Sequence, residues 1–341
     1  MDAAVDGRLR RVAYDKARDV SIMKMNANSN WSMKTSRVNE VISLMKSRDI
    51  RGLTRAISIV ESNEEGKDDL LNDAFRRGSK ACFTLGFTGA PGAGKSTLVN
   101  SVVRHFRKEG KTVGVLAVDP TSPFSGGAVL GDRIRMKEHN PDDGVYIRSL
   151  ASRKALGGLS EAAKFALYLY KAYGFDVIII ETLGVGQDEI DVAKYVDVTA
   201  LVLVPGYGDH IQLAKAGIME IADIFIINKS DRPGADLLKK QILNTMHMKP
   251  EDERPPVINT IAERNEGIAE VMAAVESVRS RAALQREERY RGRIAEEIRS
   301  SVLSQLARET DLHLEDMVEK VLKSSLTPIE AAKEILALLR N

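Results

Sequence analysis

The stretch that decides the fold reads Gly89-Ala90-Pro91-Gly92-Ala93-Gly94-Lys95-Ser96. It fits the pattern G-x-x-x-x-G-K-[ST], in which backbone N–H groups surround a phosphate and the lysine reaches the outer phosphates. An apolar run (83–88) precedes it, and a segment with helical spacing (95–108) follows it. Because a helix N-terminus offers free N–H donors and partial positive charge, this context favours an anion site. The sequence predicts a phosphate-binding loop for a nucleotide.

The composition is that of an ordinary globular protein. Of the 341 residues, 43% are apolar and 29% are charged, and the net charge is +2. This charge gives no indication of nucleic-acid binding. The single Cys82 excludes an intramolecular disulfide framework. No apolar run is long enough to cross a membrane, so we expect no membrane partner and a cytoplasmic location.

The chain divides into four predicted regions. Residues 1–34 mix acidic and basic side chains without a signal-peptide core, and we expect a disordered extension. Residues 35–80 have helical periodicity and predict an N-terminal helical arm. Residues 81–278 alternate apolar runs with helical segments and predict the nucleotide-binding domain. Residues 279–341 carry no strand pattern and predict a C-terminal helical dimerisation arm, with a long helix over about 280–308 and a last helix capped by Thr327.

The central region predicts an α/β fold with a parallel sheet covered by helices on both faces. Near-continuous apolar strands that alternate with helices are typical of such sheets. The predicted strands are 83–88, 113–118, 145–148, 176–181, 198–204, 223–228 and 256–259. The predicted helices between them are 95–108, 159–173, 208–221, 236–246 and 266–277. Ligands of such sheets bind beyond the carboxyl ends of the strands.

Two motifs at later strand ends indicate guanine. Asn228-Lys229-Ser230-Asp231 follows a strand, and an aspartate there can accept hydrogen bonds from guanine N1–H and N2–H₂, which adenine lacks. Asn228 and Lys229 would brace the loop and the base. Thr260-Ile261-Ala262 follows the last strand, at the position of a loop whose backbone N–H contacts guanine O6. The sequence therefore favours GTP and GDP over adenine nucleotides.

Acidic residues at strand ends are candidates for a magnesium site and for catalysis. Asp119 and Glu181 close two strands, and Asp132 lies in the next loop. With Ser96 they offer the oxygen ligands that Mg²⁺ prefers. Asp119 could instead cap a turn before Pro120. Lys95, Glu181 and Gln187 are the candidate catalytic residues; Gln187 would position water, although it lies six residues after the acid.

Three longer stretches resemble the MeaB/ArgK family of P-loop GTPases, with a match over about 36–341. They are VDPTSPFSGGAVLGDRIRM (118–136), ETLGVGQDEIDVAKYVD (181–197) and PGYGDHIQLAKAGIMEIADIFIINKSD (205–231). The resemblance implies a homodimeric GTPase chaperone of an adenosylcobalamin-dependent acyl-CoA mutase, usually methylmalonyl-CoA mutase. Such a protein gates cofactor loading and protects or reactivates the mutase. It also implies that residues 89–97, ending in Thr97, bind nucleotide and that 205–215 form a switch that contacts the client.

Three other functions compete with this interpretation, and the first, a structural GTP-bound dimer with negligible turnover, is disfavoured by the strand-end acids and the Gly-bearing loops. A metal-insertase GTPase would need clustered Cys or His ligands, and this chain has one cysteine and five scattered histidines. A kinase acting on a transport protein would need an acceptor site, and no added substrate domain is evident. Among the cobalamin-dependent mutases, the sequence leaves the client open.

Overall fold

Seven parallel strands form the central sheet of the computed structural model. The model describes residues 37–78, 82–120, 142–152, 161–182, 192–206, 218–246, 250–282, 286–323 and 325–339. The strands are β1 (Phe83–Thr88), β2 (Val113–Pro120), β3 (Val145–Ser152), β4 (Val177–Thr182), β5 (Val198–Leu203), β6 (Ile224–Asn228) and β7 (Val257–Thr260). Their order in the sheet is β3-β2-β4-β1-β5-β6-β7, and every neighbouring pair is parallel. The predicted fold class is confirmed.

Nine helices of at least ten residues lie within the described ranges. They are α1 (37–46), α2 (Ile50–Glu61), α3 (Lys67–Arg77), α4 (Lys95–Lys108), α5 (Glu161–Tyr173), α6 (Ala235–Thr245), α7 (Ile268–Ala282), α8 (Arg286–Leu322) and α9 (Pro328–Leu338). Short helical segments occupy 192–195, Ile218–Ile221, Glu251–Glu253 and Ala262–Arg264. The predicted extension 1–34 lies outside the described residues.

The alternation of side chains along each strand separates two cores. In β4, Ile178 and Ile180 contribute to one core, whereas Val177 and Ile179 contribute to the other. This follows from the two-residue period of a strand, which sends successive side chains to opposite faces. The first core also contains α1, α2, α3 and α5, and the second contains α4 and α7. The helices of the region 35–80 thus share a buried core with the sheet.

The N-terminal ends of the strands are joined by aspartates that precede them. Asp176 accepts hydrogen bonds from the backbone N–H and hydroxyl of Thr112, both at 2.8 Å. These bonds lower the pKa of Asp176, the backbone bond most. Asp197 accepts from Thr84 in the same way. Such bonds fix adjacent strands in register, and they explain why β4 begins one residue after the predicted start at 176.

The chain forms two compact units, Met1–Arg279 and Ser280–Asn341. Within the second unit, Met317 of α8 packs with Ala331 and Ile335 of α9. Thr327 caps α9 as expected: its hydroxyl accepts from the Glu330 backbone N–H, and the Glu330 carboxylate accepts from the Thr327 backbone. Helix α8 ends at Leu322 rather than near 308, so the predicted length was wrong.

Candidate functional site

The phosphate-binding loop connects β1 to α4, and close neighbours require its glycines. Gly89 has φ +135°, and a Cβ there would lie 2.2 Å from the carbonyl oxygen of Val202 in β5. Gly94 has φ +86°, and a Cβ there would lie 2.3 Å from Nδ2 of Asn228. Any side chain at either position would force the backbone away from its neighbours. The loop is therefore held tightly between β5 and the end of β6.

Lys95 begins α4 and is nearly inaccessible, with 3% of its surface exposed. Its Nζ donates to the carbonyl oxygens of Gly89 and, at 2.9 Å, of Ala90. A buried ammonium needs such acceptors because desolvation is costly. The ammonium thus lies inside the loop, against the backbone that would surround a phosphate.

Ser96 and Glu181 meet at the end of the sheet. The Ser96 hydroxyl donates to Oε1 of Glu181 at 2.6 Å, and Glu181 is fully buried. The sheet brings them together because β4 pairs with β1, with Glu181 opposite Phe87. The backbone of Asp119 lies at the end of β2, one position beyond the Val118–Thr182 pair. Asp132 and Gln187 lie outside the described residues.

Asn228 joins three segments at the other side of the loop. Its Nδ2 donates to the carbonyl oxygen of Ala93 at 2.8 Å. Its Oδ1 accepts from the Thr260 hydroxyl at 3.2 Å and from the Ala262 N–H at 3.1 Å. Asn228 is 2% exposed, so these bonds satisfy a buried amide. One side chain therefore fixes the phosphate loop relative to β7 and the turn that follows it.

Lys229 makes a second connection between β6 and the loop. Its Nζ donates to the carbonyl oxygen of Gly92 at 2.9 Å, and its backbone has φ +55°. The next residue, Ser230, donates its N–H to the carbonyl oxygen of Thr260 at 3.1 Å. This backbone geometry places Asp231 in a cleft beside the loop.

The cleft is lined by residues of the phosphate loop and the start of α4, of the segment at the end of β6 and of the turn after β7. They are Gly94, Thr97, Asn228, Lys229, Asp231, Arg232, Ile261, Ala262, Glu263 and Arg264. The structure thus brings together the predicted residues of three separate motifs. Sequence reasoning missed Arg232, Glu263 and Arg264; the only signal was the charged sequence Glu263-Arg264-Asn265-Glu266 after the last strand.

The turn after β7 is closed by its own backbone. The Ile261 N–H donates to the carbonyl oxygen of Glu266 at 3.1 Å, and the Glu266 N–H donates back at 3.3 Å. The Ala262 N–H is already bonded to Asn228. Asn265 adds a bond to α4, because its Oδ1 accepts from the buried Ser101 hydroxyl at 2.7 Å. Contact between this turn and guanine O6 stays a prediction.

The sequence comparison identifies the family. A family model described as "Methylmalonyl Co-A mutase-associated GTPase MeaB" matches residues 53–313. The chain belongs to the MeaB family. A Pyrococcus abyssi protein whose name describes it as a GTPase is 43% identical over 313 residues, which is 88% of this chain and 96% of that protein. GTPase ArgK of Escherichia coli is 37% identical over 232 residues, or 65% of this chain and 70% of ArgK.

A mouse protein and a solved structure are also similar to this chain. The mouse "Methylmalonic aciduria type A homolog, mitochondrial" is 37% identical over 238 residues, or 64% of this chain and 57% of that protein. A crystal structure of "LAO/AO transport system kinase" has a TM-score of 0.63 and 24% identity, and covers 90% of this chain and 98% of that one. At this identity the structure supports the fold alone.

This MeaB-family protein is a GTPase, and it binds guanine nucleotides through a P-loop domain. Within the described ranges, no group of three or more His, Cys, Asp or Glu residues is placed to hold a metal ion. None of the helices described combines the length and the apolar character needed to cross a bilayer.

Proposed function

We propose that this GTPase is a chaperone of an adenosylcobalamin-dependent acyl-CoA mutase, and that methylmalonyl-CoA mutase is the first client to test. The match of residues 53–313 to a family described by its association with that enzyme carries the proposal. The name of the mouse relative, which refers to methylmalonic aciduria, supports it. The GTPase would gate cofactor loading and protect or reactivate the mutase.

Asp231 would read the base. Its carboxylate would accept from guanine N1–H and N2–H₂, and adenine would leave it unsatisfied. The bonds from Asn228 to Ala93 and Ala262 support this assignment, because they keep the base cleft and the phosphate loop at a fixed separation. Thr260, Ile261 and Ala262 would contribute by holding Asn228 and closing the cleft.

Residues 89–97 would bind the phosphates. The Lys95 ammonium would leave the carbonyl oxygens of Gly89 and Ala90 for the β- and γ-phosphates, which carry full negative charge. The loop's N–H groups and the α4 N-terminus would stabilise the same charge. Gln187 remains the proposed water-positioning residue.

Ser96, Asp119, Asp132 and Glu181 would form the magnesium site. The 2.6 Å bond between the Ser96 hydroxyl and the buried Glu181 carboxylate supports it, because both groups are hard oxygen donors beside the phosphate loop. Mg²⁺ would neutralise charge on the β- and γ-phosphates. Glu181 would hold a metal-bound water or the ion itself, and Ser96 would exchange its present hydrogen bond for that contact.

The second compact unit would form a homodimer, in the cytoplasm. Apolar side chains of α8 are exposed, including Ile298 at 61% and Leu312 at 81%. Monomeric proteins rarely leave a large apolar surface exposed, and the same surface on a second copy is the simplest partner. The region 279–341 would therefore be the dimerisation arm, 81–278 the GTPase domain and 35–80 the N-terminal arm.

The proposal is tested by measuring phosphate release from GTP with and without purified cobalamin-dependent mutases, with ATP as the control substrate. We expect slow intrinsic GTP hydrolysis that one mutase raises, and no comparable activity with ATP. If no mutase changes the rate, the chaperone proposal fails. Transfer of the γ-phosphate to a protein would favour the kinase alternative, and nickel-dependent stimulation would favour a metal insertase.

Asp231→Asn tests the base assignment separately. We expect the preference for GTP over ATP to fall by at least 10-fold, because the amide's NH₂ faces the donors of guanine. Melting temperatures would verify that the variant folds. An unchanged preference would show that Asp231 does not read guanine.

A further inference from the structure

Arg264 lies across the base cleft from Asp231. Its Nη2 is 4.0 Å from Oδ2 of Asp231, and the two side chains are 63% and 44% exposed. Both line the cleft that also contains Asn228 and Lys229. The cleft therefore holds a cation next to the carboxylate that is proposed to read guanine.

The two potential partners of Asp231 are the Arg264 guanidinium and the edge of guanine, and they offer the same hydrogen-bond donors. A guanidinium group presents parallel N–H donors that fit the two oxygens of a carboxylate. The N1–H and N2–H₂ edge of guanine presents the same pair of donors from a carbon bonded to three nitrogens. Arg264 and the base would therefore satisfy Asp231 in the same way, and both cannot use the same oxygens at once.

We propose that Arg264 is an internal competitor of guanine: it pairs with Asp231 when no nucleotide is bound, and it thereby slows nucleotide association and weakens nucleotide binding. The inference rests on the proposed role of Asp231. When the base enters, Arg264 would leave toward solvent, which its 63% exposure allows. When the base leaves, Arg264 would reoccupy the carboxylate and slow rebinding.

The turn that carries Arg264 keeps it within reach of Asp231. The Arg264 N–H donates to the carbonyl oxygen of Ile261 at 2.9 Å. The next residue, Asn265, is bonded to Ser101 of α4 at 2.7 Å. The backbone is thus fixed on both sides while the side chain is free to rotate. The competitor would therefore have a high local concentration.

The other cations of the cleft are less suited to this role. Lys229 donates to the carbonyl oxygen of Gly92 at 2.9 Å, and its ammonium lacks a two-donor edge. Arg232 lines the cleft, but within the described residues its guanidinium makes no ion pair with Asp231. Arg232 is therefore a matched control with the same charge and the same cleft.

The expected effect is small, because exposed ion pairs contribute little. A pair at 4.0 Å with both partners exposed changes an equilibrium by up to about fivefold. We expect Arg264→Ala to tighten GDP binding by about two- to fivefold and to speed GDP association by a similar factor, with little change in the dissociation rate. Salt screens such pairs, so the difference should shrink in 0.5 M NaCl.

The experiment measures the dissociation constant and the association and release rates of a fluorescent GDP for the wild-type chain, Arg264→Ala, Arg264→Lys and Arg232→Ala. Arg264→Lys keeps the charge without the two-donor edge, and we expect an intermediate effect. Arg232→Ala should not tighten binding. Weaker or unchanged binding by Arg264→Ala would overturn the proposal, and weaker binding would indicate that Arg264 contacts the bound base instead.

The Asp231→Asn variant separates the proposed role of Arg264 from the proposed role of Asp231. In Asp231→Asn, a xanthine nucleotide replaces GDP as the probe, because xanthine has a carbonyl where guanine has N2–H₂ and the asparagine amide can donate to it. Adding Arg264→Ala should then leave affinity unchanged, since the carboxylate is absent. If Asp231→Asn gains no affinity for the xanthine nucleotide, the assignment of Asp231 fails; if it gains that affinity and Arg264→Ala has no effect on GDP binding, only the competitor fails.

Discussion

The two compact units of this GTPase place their apolar side chains in opposite ways. The first unit, Met1–Arg279, buries apolar side chains on both faces of its sheet. In β4, for example, alternate side chains belong to different cores. The second, Ser280–Asn341, has a buried cluster of Met317, Ala331 and Ile335, while Ile298 and Leu312 are exposed. Burial of apolar surface is the main favourable term in folding. The first unit therefore encloses extensive apolar cores, whereas the apolar surface of the second would, as proposed, be covered by a second copy of the chain.

The units also differ in where they bury polar groups. In the first unit, Lys95, Glu181 and Asn228 are almost fully buried, and each is held by hydrogen bonds at the carboxyl ends of the strands. Buried polar groups of this kind are costly unless satisfied, and they are typical of sites that act on ligands. Chemistry belongs to the first unit and, as proposed, assembly to the second. Substitutions in each unit test this division.

The largest expected effect is that of Lys95→Ala on chemistry. Loss of the ammonium should reduce GTP turnover by about 10²–10³-fold or more, because charge stabilisation at the phosphates is lost. The oligomeric state should stay unchanged. Steady-state phosphate release and light scattering measure the two. Lys108→Ala, at the exposed end of the same helix, is the control. A change in assembly would contradict the division.

A comparable test of the second unit changes its exposed face. Ile298 and Leu312 are fourteen positions apart, so in a regular helix they lie on nearly the same side. Ile298→Glu with Leu312→Glu should weaken self-association by at least about 100-fold, because charge replaces apolar surface at the proposed interface. Sedimentation measures this, with Ala307→Glu, at an exposed position on the opposite side of the helix, as control. A dimer of unchanged stability would rule out this face.

Asn228→Ala should have an intermediate effect confined to the first unit. It leaves the Ala93 carbonyl and the Ala262 N–H without their present partner, and the expected loss of stability is about 1–3 kcal/mol. Nucleotide affinity should fall on the order of 10-fold or more, since the cleft and loop lose their connection. Urea denaturation and nucleotide titration measure these effects. Asn244→Ala, exposed on α6, gives the baseline.

The smallest effect is expected at the cap of α9. Thr327→Ala removes one acceptor for the Glu330 N–H and should destabilise the helix by about 1 kcal/mol. Hydrogen exchange of α9 should accelerate about fivefold, while β1 and β4 keep their protection. Thr327→Ser retains the hydroxyl and should restore the slow exchange. Faster exchange throughout the sheet would show that the units are not energetically separate.

The sheet and the phosphate loop were predictable from sequence because their signals are local. Short runs dominated by apolar residues, FTLGF in β1 and VIII in β4, indicate these strands, and the loop pattern fixes the turn between β1 and α4. The end of α8 was not predicted. Its apolar stripe drifts around the helix beyond Leu306, whereas helix-forming residues without Gly or Pro continue to Leu322. The strict i, i+4 spacing stops at Leu306, but apolar residues at helical spacing continue as Leu314, Met317, Val318 and Val321.

The base cleft was predictable only in part. Asn228 and Asp231 belong to a recognisable motif, whereas Arg264 does not. Its position depends on the closed turn between Ile261 and Glu266 and on the bond from Ser101 to Asn265. The bond from Ser101 to Asn265 joins residues 164 positions apart in sequence, so no local pattern contains it. The same is true of the bonds from Asp176 to Thr112 that set the start of β4.

The central place of β1 has a consequence for synthesis of the chain. β1 pairs with β4 and β5, and its Thr84 is bonded to Asp197, which comes 113 residues later. At roughly 5–20 residues per second, a ribosome needs about 6–23 s to make that intervening chain. β1 lacks both neighbours until β4 is made, and it lacks one of them until β5 is made. Nascent β1 is therefore a segment that needs protection from aggregation before translation reaches β5.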